Sequence, residues 1–326
     1  MKIGLIDVDG HNYPNLPLMK ISAYHKSKGD QVEWYHPLFS GHVDKVYMSK
    51  VFSFTPDYEF PIDADEIERG GSGYCIELVN NREIYHCEKD KNLPDYIEHI
   101  YPDYSLYPEL TKDTAYGFLT RGCPRGCDFC HVAVKEGRRS RKVADLSEFW
   151  KDQKNIVLCD PNILAYPDYE DLLQQLIDSK ATVEFNQGLD IRVMDKKRLQ
   201  LLKQIKMQNI HFAFDRWEDR DIVEPRLRWF KEETNYNRGN GKVHVYILVN
   251  FNTTLEQDLY RITLCRELNF NPYVMIYDKA HCKPIYMKLQ RWANNKIIFW
   301  KTNTFDDYIY FEKNRKRYGN VSKPCF

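Results

Sequence analysis

No run of apolar residues in this 326-residue chain approaches the roughly 20 that a helix needs to cross a bilayer, so no membrane span is expected. The opening residues, Met1-Lys-Ile-Gly-Leu-Ile-Asp7, lack the basic segment, apolar stretch and small-residue cleavage site of a secretory leader. Export is therefore not expected, and a cytoplasmic location is. Neither sign of charge is in excess, because 47 lysines and arginines face 47 aspartates and glutamates. That balance argues against a general nucleic-acid-binding surface, and the basic run Lys313-Asn-Arg-Lys-Arg317 reads as a solvated tail. Disulfides are not expected in an unexported chain, so the nine cysteines should be mostly reduced. A second C-x-x-C, the mark of an auxiliary metal site, is also missing. With 43% hydrophobic residues, the chain can bury one large core or two ordinary ones.

What is present is Cys123-Pro-Arg-Gly-Cys127-Asp-Phe-Cys130, three thiols within eight residues. Three such side chains meet at one point only if the loop curls around it. Gly122 and Gly126 supply the backbone freedom for that curl, and Pro124 stiffens the turn between them. Iron–sulfur clusters and structural zinc normally take four protein ligands, so a triplet without a nearby fourth cysteine suggests a cluster with one open iron. Three other readings stand beside it. Cys127-Asp-Phe-Cys130-His131 matches the haem-attachment pattern, which would require export and leave Cys123 unexplained. His131 could complete a Cys3His zinc site, although a matching C-x-x-C is absent. Unrelated buried thiols are the third.

The C-x3-C-x2-C loop, entered from the strand-like run Ala115–Thr120 and with aromatic Phe129 before its last cysteine, resembles the signature of the radical S-adenosylmethionine family. The resemblance implies that Cys123, Cys127 and Cys130 ligate a [4Fe–4S] cluster whose fourth iron is chelated by S-adenosylmethionine. It also implies reductive cleavage to a 5′-deoxyadenosyl radical that abstracts hydrogen, with Phe129 against the adenine. A reductant such as flavodoxin or ferredoxin is implied as partner. The substrate, whether nucleoside, peptide or small metabolite, is not.

From residue 111 the chain alternates short β-branched runs with helix-spaced apolar stripes, the pattern of successive βα units. Strands are expected at Ala115–Thr120, Asn155–Cys159, Thr182–Phe185, His211–Phe214, His244–Val249 and Tyr273–Ile276. Helices are expected at Tyr169–Lys180, Lys196–Met207 and Leu255–Leu268, the latter two capped by Asp195 and Thr254. Six strands in series suggest an α/β fold with a partial (β/α)6 TIM-type barrel over residues 111–300, followed by a C-terminal extension, 301–326. Every expected strand ends in polar residues, and such ends ring the catalytic face of a barrel. By the resemblance, Asp160 and Asn162 take the place of the family's Gly-Gly-Glu segment at the methionyl amine, and Asn186, Gln187, Asp215 and Asn250 serve the ribose and carboxylate. The glycine-rich Arg238-Gly-Asn-Gly-Lys242 follows a helix and precedes a strand, the reverse of a phosphate loop, and reads as a turn.

Residues 1–110 read as a small N-terminal Rossmann-like α/β domain with a connector. Strands are expected at Lys2–Asp7, Gln31–Tyr35 and Lys45–Phe54, a helix at Leu16–Lys28 ending at Gly29, and an irregular, tyrosine-rich connector over 57–110. Some relatives carry a cobalamin-binding domain here, marked by Asp-x-His-x-x-Gly. This chain has Asp9 and His11 but Pro14 where glycine is expected, and Gly70-Gly-Ser-Gly73 in place of the later glycine pair. A degenerate accessory domain is the expected form, with a cobalamin-dependent methyltransferase and a zinc-stabilised binding module as alternatives. Cys75, Cys87, Cys159, Cys265 and Cys282 read as buried small residues, and Cys325 as a terminal thiol that could donate a hydrogen atom.

Overall fold

The computed structural model describes residues 1–79 and 82–317. They belong to two compact units, Met1–Gln187 with Asp195–Gln208, and Gly188–Met194 with Asn209–Phe326. The class is α/β with parallel sheets, as expected. Among the described residues no helix is long and apolar enough to cross a membrane.

In the first unit, β1 (Lys2–Asp7), β2 (Gln31–Trp34), β3 (Val43–Ser49) and β4 (Ala64–Gly70) pair in parallel in the order β2-β1-β3-β4. The central strand is buried from Ile3 to Ile6, the continuous apolar run of a strand covered on both faces. Gly4 is required there, since a Cβ would press on Val46 and Tyr35. The crossover helix Leu16–Ser27 is capped by Asn15, buries Leu18, Met19 and Ile21, and ends at Gly29, whose φ of 83° suits glycine. β3 stops at Ser49, short of the expected Phe54, because Asp9 takes the amides of Val51 and Phe52 and turns the chain away.

The stretch from 57 to 110 is not an irregular connector. It contains β4, an antiparallel pair of β5 (Ile76–Val79) and β6 (Arg82–Tyr85), and the short helices Asp95–Glu98 and Pro108–Thr111. β4 reads Ala-Asp-Glu-Ile-Glu-Arg-Gly, with no apolar alternation to betray a strand. As an edge strand it needs only one partner, and Lys45 of β3 pairs its Glu66 and Glu68 at 2.9 and 2.7 Å.

The second sheet of this unit comprises β7 (Thr114–Gly117), β10 (Asn155–Leu158), β11 (Thr182–Phe185) and β12 (Lys206–Met207), in the order β12-β11-β10-β7 and all parallel. Between β7 and β10, β8 (Thr120–Arg121) and β9 (Arg141–Lys142) pair antiparallel. The expected strand Ala115–Thr120 is thus broken at Phe118, where the Phe149 ring covers Gly117 and Asp160 takes the next two amides. The expected helix Lys196–Met207, capped by Asp195, ends at Leu202. Its last residues become β12, because pairing with Thr182 and Val183 satisfies backbone groups that a helix end would leave open. Tyr169–Ser179 closes as expected on Lys180, in the left-handed conformation at φ 57°.

In the second unit, β13 (Ile210–Ala213), β14 (Val243–Val249) and β15 (Asn271–Ile276) form a parallel sheet with β14 central. Val243, Val245, Ile247 and Val249 of β14 are fully buried. Leu255–Glu267 starts with the Thr254–Gln257 capping box. A helix at Arg220–Thr234 goes beyond the three expected. Pro225 interrupts its pattern, yet Val223, Leu227 and Phe230 still fall on one buried face. Residues 238–241 form the expected turn.

Candidate functional site

The cysteine loop follows β8, just beyond the C-terminal end of β7, and is fixed before it begins. Asp160, 4% exposed, accepts hydrogen bonds from the Leu119 amide (3.1 Å), the Thr120 amide (2.5 Å) and the Thr120 hydroxyl (2.7 Å). Burial pushes its carboxyl up to about 6, with the hydrogen bonds from Thr120 and Leu119 acting against it. Arg121 and Gly122 come next, and Glu136 holds both: one oxygen meets the Arg121 guanidinium and the other the Gly122 amide, each at 2.9 Å. Arg121 also lies 3.9 Å over the Phe118 ring.

The curl depends on the two glycines that sequence reasoning singled out. Gly122 has φ 85° and Gly126 φ 58°. A Cβ on Gly122 would run into the Arg139 carbonyl, and one on Gly126 into the Arg138 guanidinium. The Cys123 amide reaches the Gly137 carbonyl at 3.1 Å, and the Cys130 amide closes a turn on the Cys127 carbonyl at 2.9 Å. All three cysteines and Phe129 are half-buried, and none of the thiols is in a disulfide. Asn162, 3% exposed, donates its side-chain amide toward the Cys123 sulfur at 3.5 Å. Among the described residues, no group of three or more His, Cys, Asp and Glu side chains is arranged to hold a metal ion.

The loop is also anchored downstream. His131 places Nε2 3.0 Å from a Glu83 carboxylate oxygen, Lys135 donates to Ser72 at 2.8 Å, and the Cys87 thiol meets the Val134 carbonyl at 3.5 Å. Cys159 lies at the end of β10, beside Asp160. Its sulfur is 3.4 Å from the Tyr13 hydroxyl, and burial pushes the thiol up to about 11.

The remaining expected residues are placed as follows. Asn186 continues β11 by donating its amide to Leu158 at 3.0 Å, and Gln187 follows it, exposed. Asp215 and Asn250 belong to the second unit. Asp215 accepts the Leu248 amide at 2.8 Å, and burial pushes its carboxyl up to about 6. Asn250, at φ 65°, donates to the Tyr277 carbonyl at 2.9 Å. Both therefore tie the ends of neighbouring strands together.

Sequence reasoning missed Arg261, which is fully buried and does most of that tying. It donates to the carbonyls of Phe214 (2.6 Å), Asp215 (2.7 Å) and Leu248 (2.8 Å), and pairs with the equally buried Asp258. The available signal was Asp258, Arg261 and Cys265, spaced by three and four on the same helix side as Ile262.

In the N-terminal region, the His11 ring packs 4.3 Å from Trp34 and edge-on to Tyr107, whose hydroxyl donates to Asp7 at 2.7 Å. Asp9 serves the turn after β3. Cys325 lies outside the described residues. Comparison with known proteins finds no family model that matches the chain and no match among curated proteins.

Proposed function

We propose that the chain is a radical S-adenosylmethionine enzyme whose [4Fe–4S] cluster is held by Cys123, Cys127 and Cys130. The observation that carries the reading is the loop itself: three thiols on eight residues, following the short antiparallel β8 just beyond the end of parallel β7, curled by two glycines in the left-handed region. The donor set suits the group, because thiolates bind iron and the loop supplies three, which leaves one iron open to another ligand. When bound, such a cluster supplies the electron that breaks the C5′–sulfur bond of S-adenosylmethionine, giving methionine and the radical that takes hydrogen from substrate.

The chain's own residues have other tasks. Asn162 donates toward the Cys123 sulfur, a contact of the kind that tunes a cluster's potential. Asp160 braces the strand-to-loop junction with all its observed hydrogen bonds, so in this reading its role is support of the loop. Phe129, Asn186 and Gln187 are proposed to contact the cofactor, whereas Asp215 and Asn250 hold backbone groups of neighbouring strands in the other unit. The fold reading that accompanies this is a partial (β/α)6 barrel, supported by the presence of all six expected strands in parallel ladders.

Anaerobic reconstitution with iron, sulfide and an electron donor of the flavodoxin or ferredoxin type tests the proposal. The expected result is 5′-deoxyadenosine from S-adenosylmethionine, lost with the iron in Cys127→Ala. Zinc without iron or inorganic sulfide in the protein as isolated, or an intact cluster that yields no 5′-deoxyadenosine, overturns it.

A further inference from the structure

The turn at residues 238–241 and the start of β15 border an open cavity of about 360 Å³, lined by Asn237, Arg238, Gly239, Asn269, Asn271 and Lys296. It lies at the opposite end of the second unit's sheet from Asp215 and Asn250, since Asn271 opens β15 beside His244 near the start of β14. Its volume is within the range of small-molecule sites.

The lining carries two cations and no carboxylate. Among the described residues neither Arg238 nor Lys296 pairs with a carboxylate, the Arg238 partners being Trp300 and Asn269. Arg238 is nevertheless held in position: its guanidinium lies 4.0 Å over the Trp300 ring, and its Nε donates to Asn269 at 3.0 Å. That leaves its two terminal nitrogens without a hydrogen bond among the described residues. The same indole donates to Asn271 Oδ1 at 3.0 Å. Asn271 is only 3% exposed, and its Nδ2 has no acceptor among the described residues. The Asn271 amide nitrogen borders the cavity and is not sealed from solvent, so it is open to an acceptor there, as are the two terminal guanidinium nitrogens.

We propose that this cavity binds the phosphate group of a small phosphorylated ligand, with Arg238, Lys296 and Asn271 as its donors. A phosphate monoester carries close to two negative charges at neutral pH and three acceptor oxygens, matching a guanidinium fork, an ammonium and an amide. Gly239 presents no side chain at the rim. The volume beyond the phosphate leaves room for a sugar-sized body.

Calorimetric titration of the full chain with ribose 5-phosphate, inorganic phosphate and ribose tests this. Saturable binding of ribose 5-phosphate with a Kd below about 1 mM is expected, with inorganic phosphate weaker and ribose silent. Lys296→Glu and Arg238→Gln should each weaken binding at least tenfold, and circular dichroism should confirm that both fold, Lys296 being exposed. Asn271→Asp, which puts a carboxylate against the anion, should abolish it. No saturable heat in the native chain, ribose binding as well as its phosphate, or unchanged affinity in Lys296→Glu and Arg238→Gln would each overturn the proposal.

Discussion

Asp160 grips Thr120 twice with one carboxylate oxygen, by amide and by hydroxyl, while its other oxygen takes the Leu119 amide. These bonds set the direction in which the chain enters Gly122 and Cys123. A residue that sequence position assigned to cofactor contact is therefore first a clamp on the loop that carries the thiols.

Asp160→Ala should cost about 2–4 kcal/mol in urea unfolding, because it strands buried amides without an acceptor. It should also lower iron incorporation on reconstitution. Asp160→Asn keeps one acceptor oxygen and should fall between the two. Equal stability of Asp160→Ala and the native chain would count against the clamp.

The pH dependence has a definite sign. Asp160 and Asp215 titrate at about 6 when folded, against an ordinary 3.8. Between those values the folded chain keeps protons that the unfolded chain has lost. Each group therefore contributes stability that is full below pH 4, declines as pH rises toward 6, and is absent above it. The total is on the order of 3 kcal/mol per group. Urea midpoints at pH 4.5, 5.5 and 7 should show a shallower decline in Asp160→Asn and Asp215→Asn than in the native chain.

Two glycine substitutions should separate clash from conformation. Gly10 and Gly122 have φ 89° and 85°, but a Cβ meets nothing at Gly10 and a backbone carbonyl at Gly122. Gly10→Ala should cost about 1–2 kcal/mol for the conformation alone. Gly122→Ala should cost clearly more and displace Cys123, read out as lower thermal stability and loss of reconstituted iron.

Arg261 and Asp258 offer a further comparison. Removing one buried charge strands the other, so Arg261→Met should cost about 3–5 kcal/mol. The double change Asp258→Leu with Arg261→Met should recover part of that loss. A full recovery would mean that the carbonyls of Phe214, Asp215 and Leu248 do not depend on the guanidinium.

Brief alkylation of the folded chain at pH 8, followed by mass spectrometry, should label Cys87 early, because it is exposed. Cys159 and Cys265 should label last. Both are buried, and burial pushes both thiols up, Cys159 to about 11, so little thiolate is present.

The elements legible in the sequence were those whose signal is local. β14 and β1 are long apolar runs, Asn15, Asp195 and Thr254 are cap residues, and Gly122 and Gly126 are glycines at left-handed turn positions. What escaped depends on distant partners. β4 is a strand because Lys45 and the backbone of β3 lie beside it, and β12 leaves its helix because β11 offers an edge. Asp160 and Arg261 look like ordinary polar residues until the carbonyls and amides they satisfy, 13 to 47 positions away in sequence, are brought to them.

The acidic residues of β4 have a consequence of their own. The sheet β2-β1-β3-β4 ends on that strand, and an open edge is a template on which another chain can add. Lys45 sets one positive charge against both Glu66 and Glu68, so a second copy approaching edge to edge would bring its own Asp65, Glu66 and Glu68 against a strand that is still net negative. Arg69 is the one cation on the strand, so its three carboxylates leave it net negative and disfavour edge addition of a second copy.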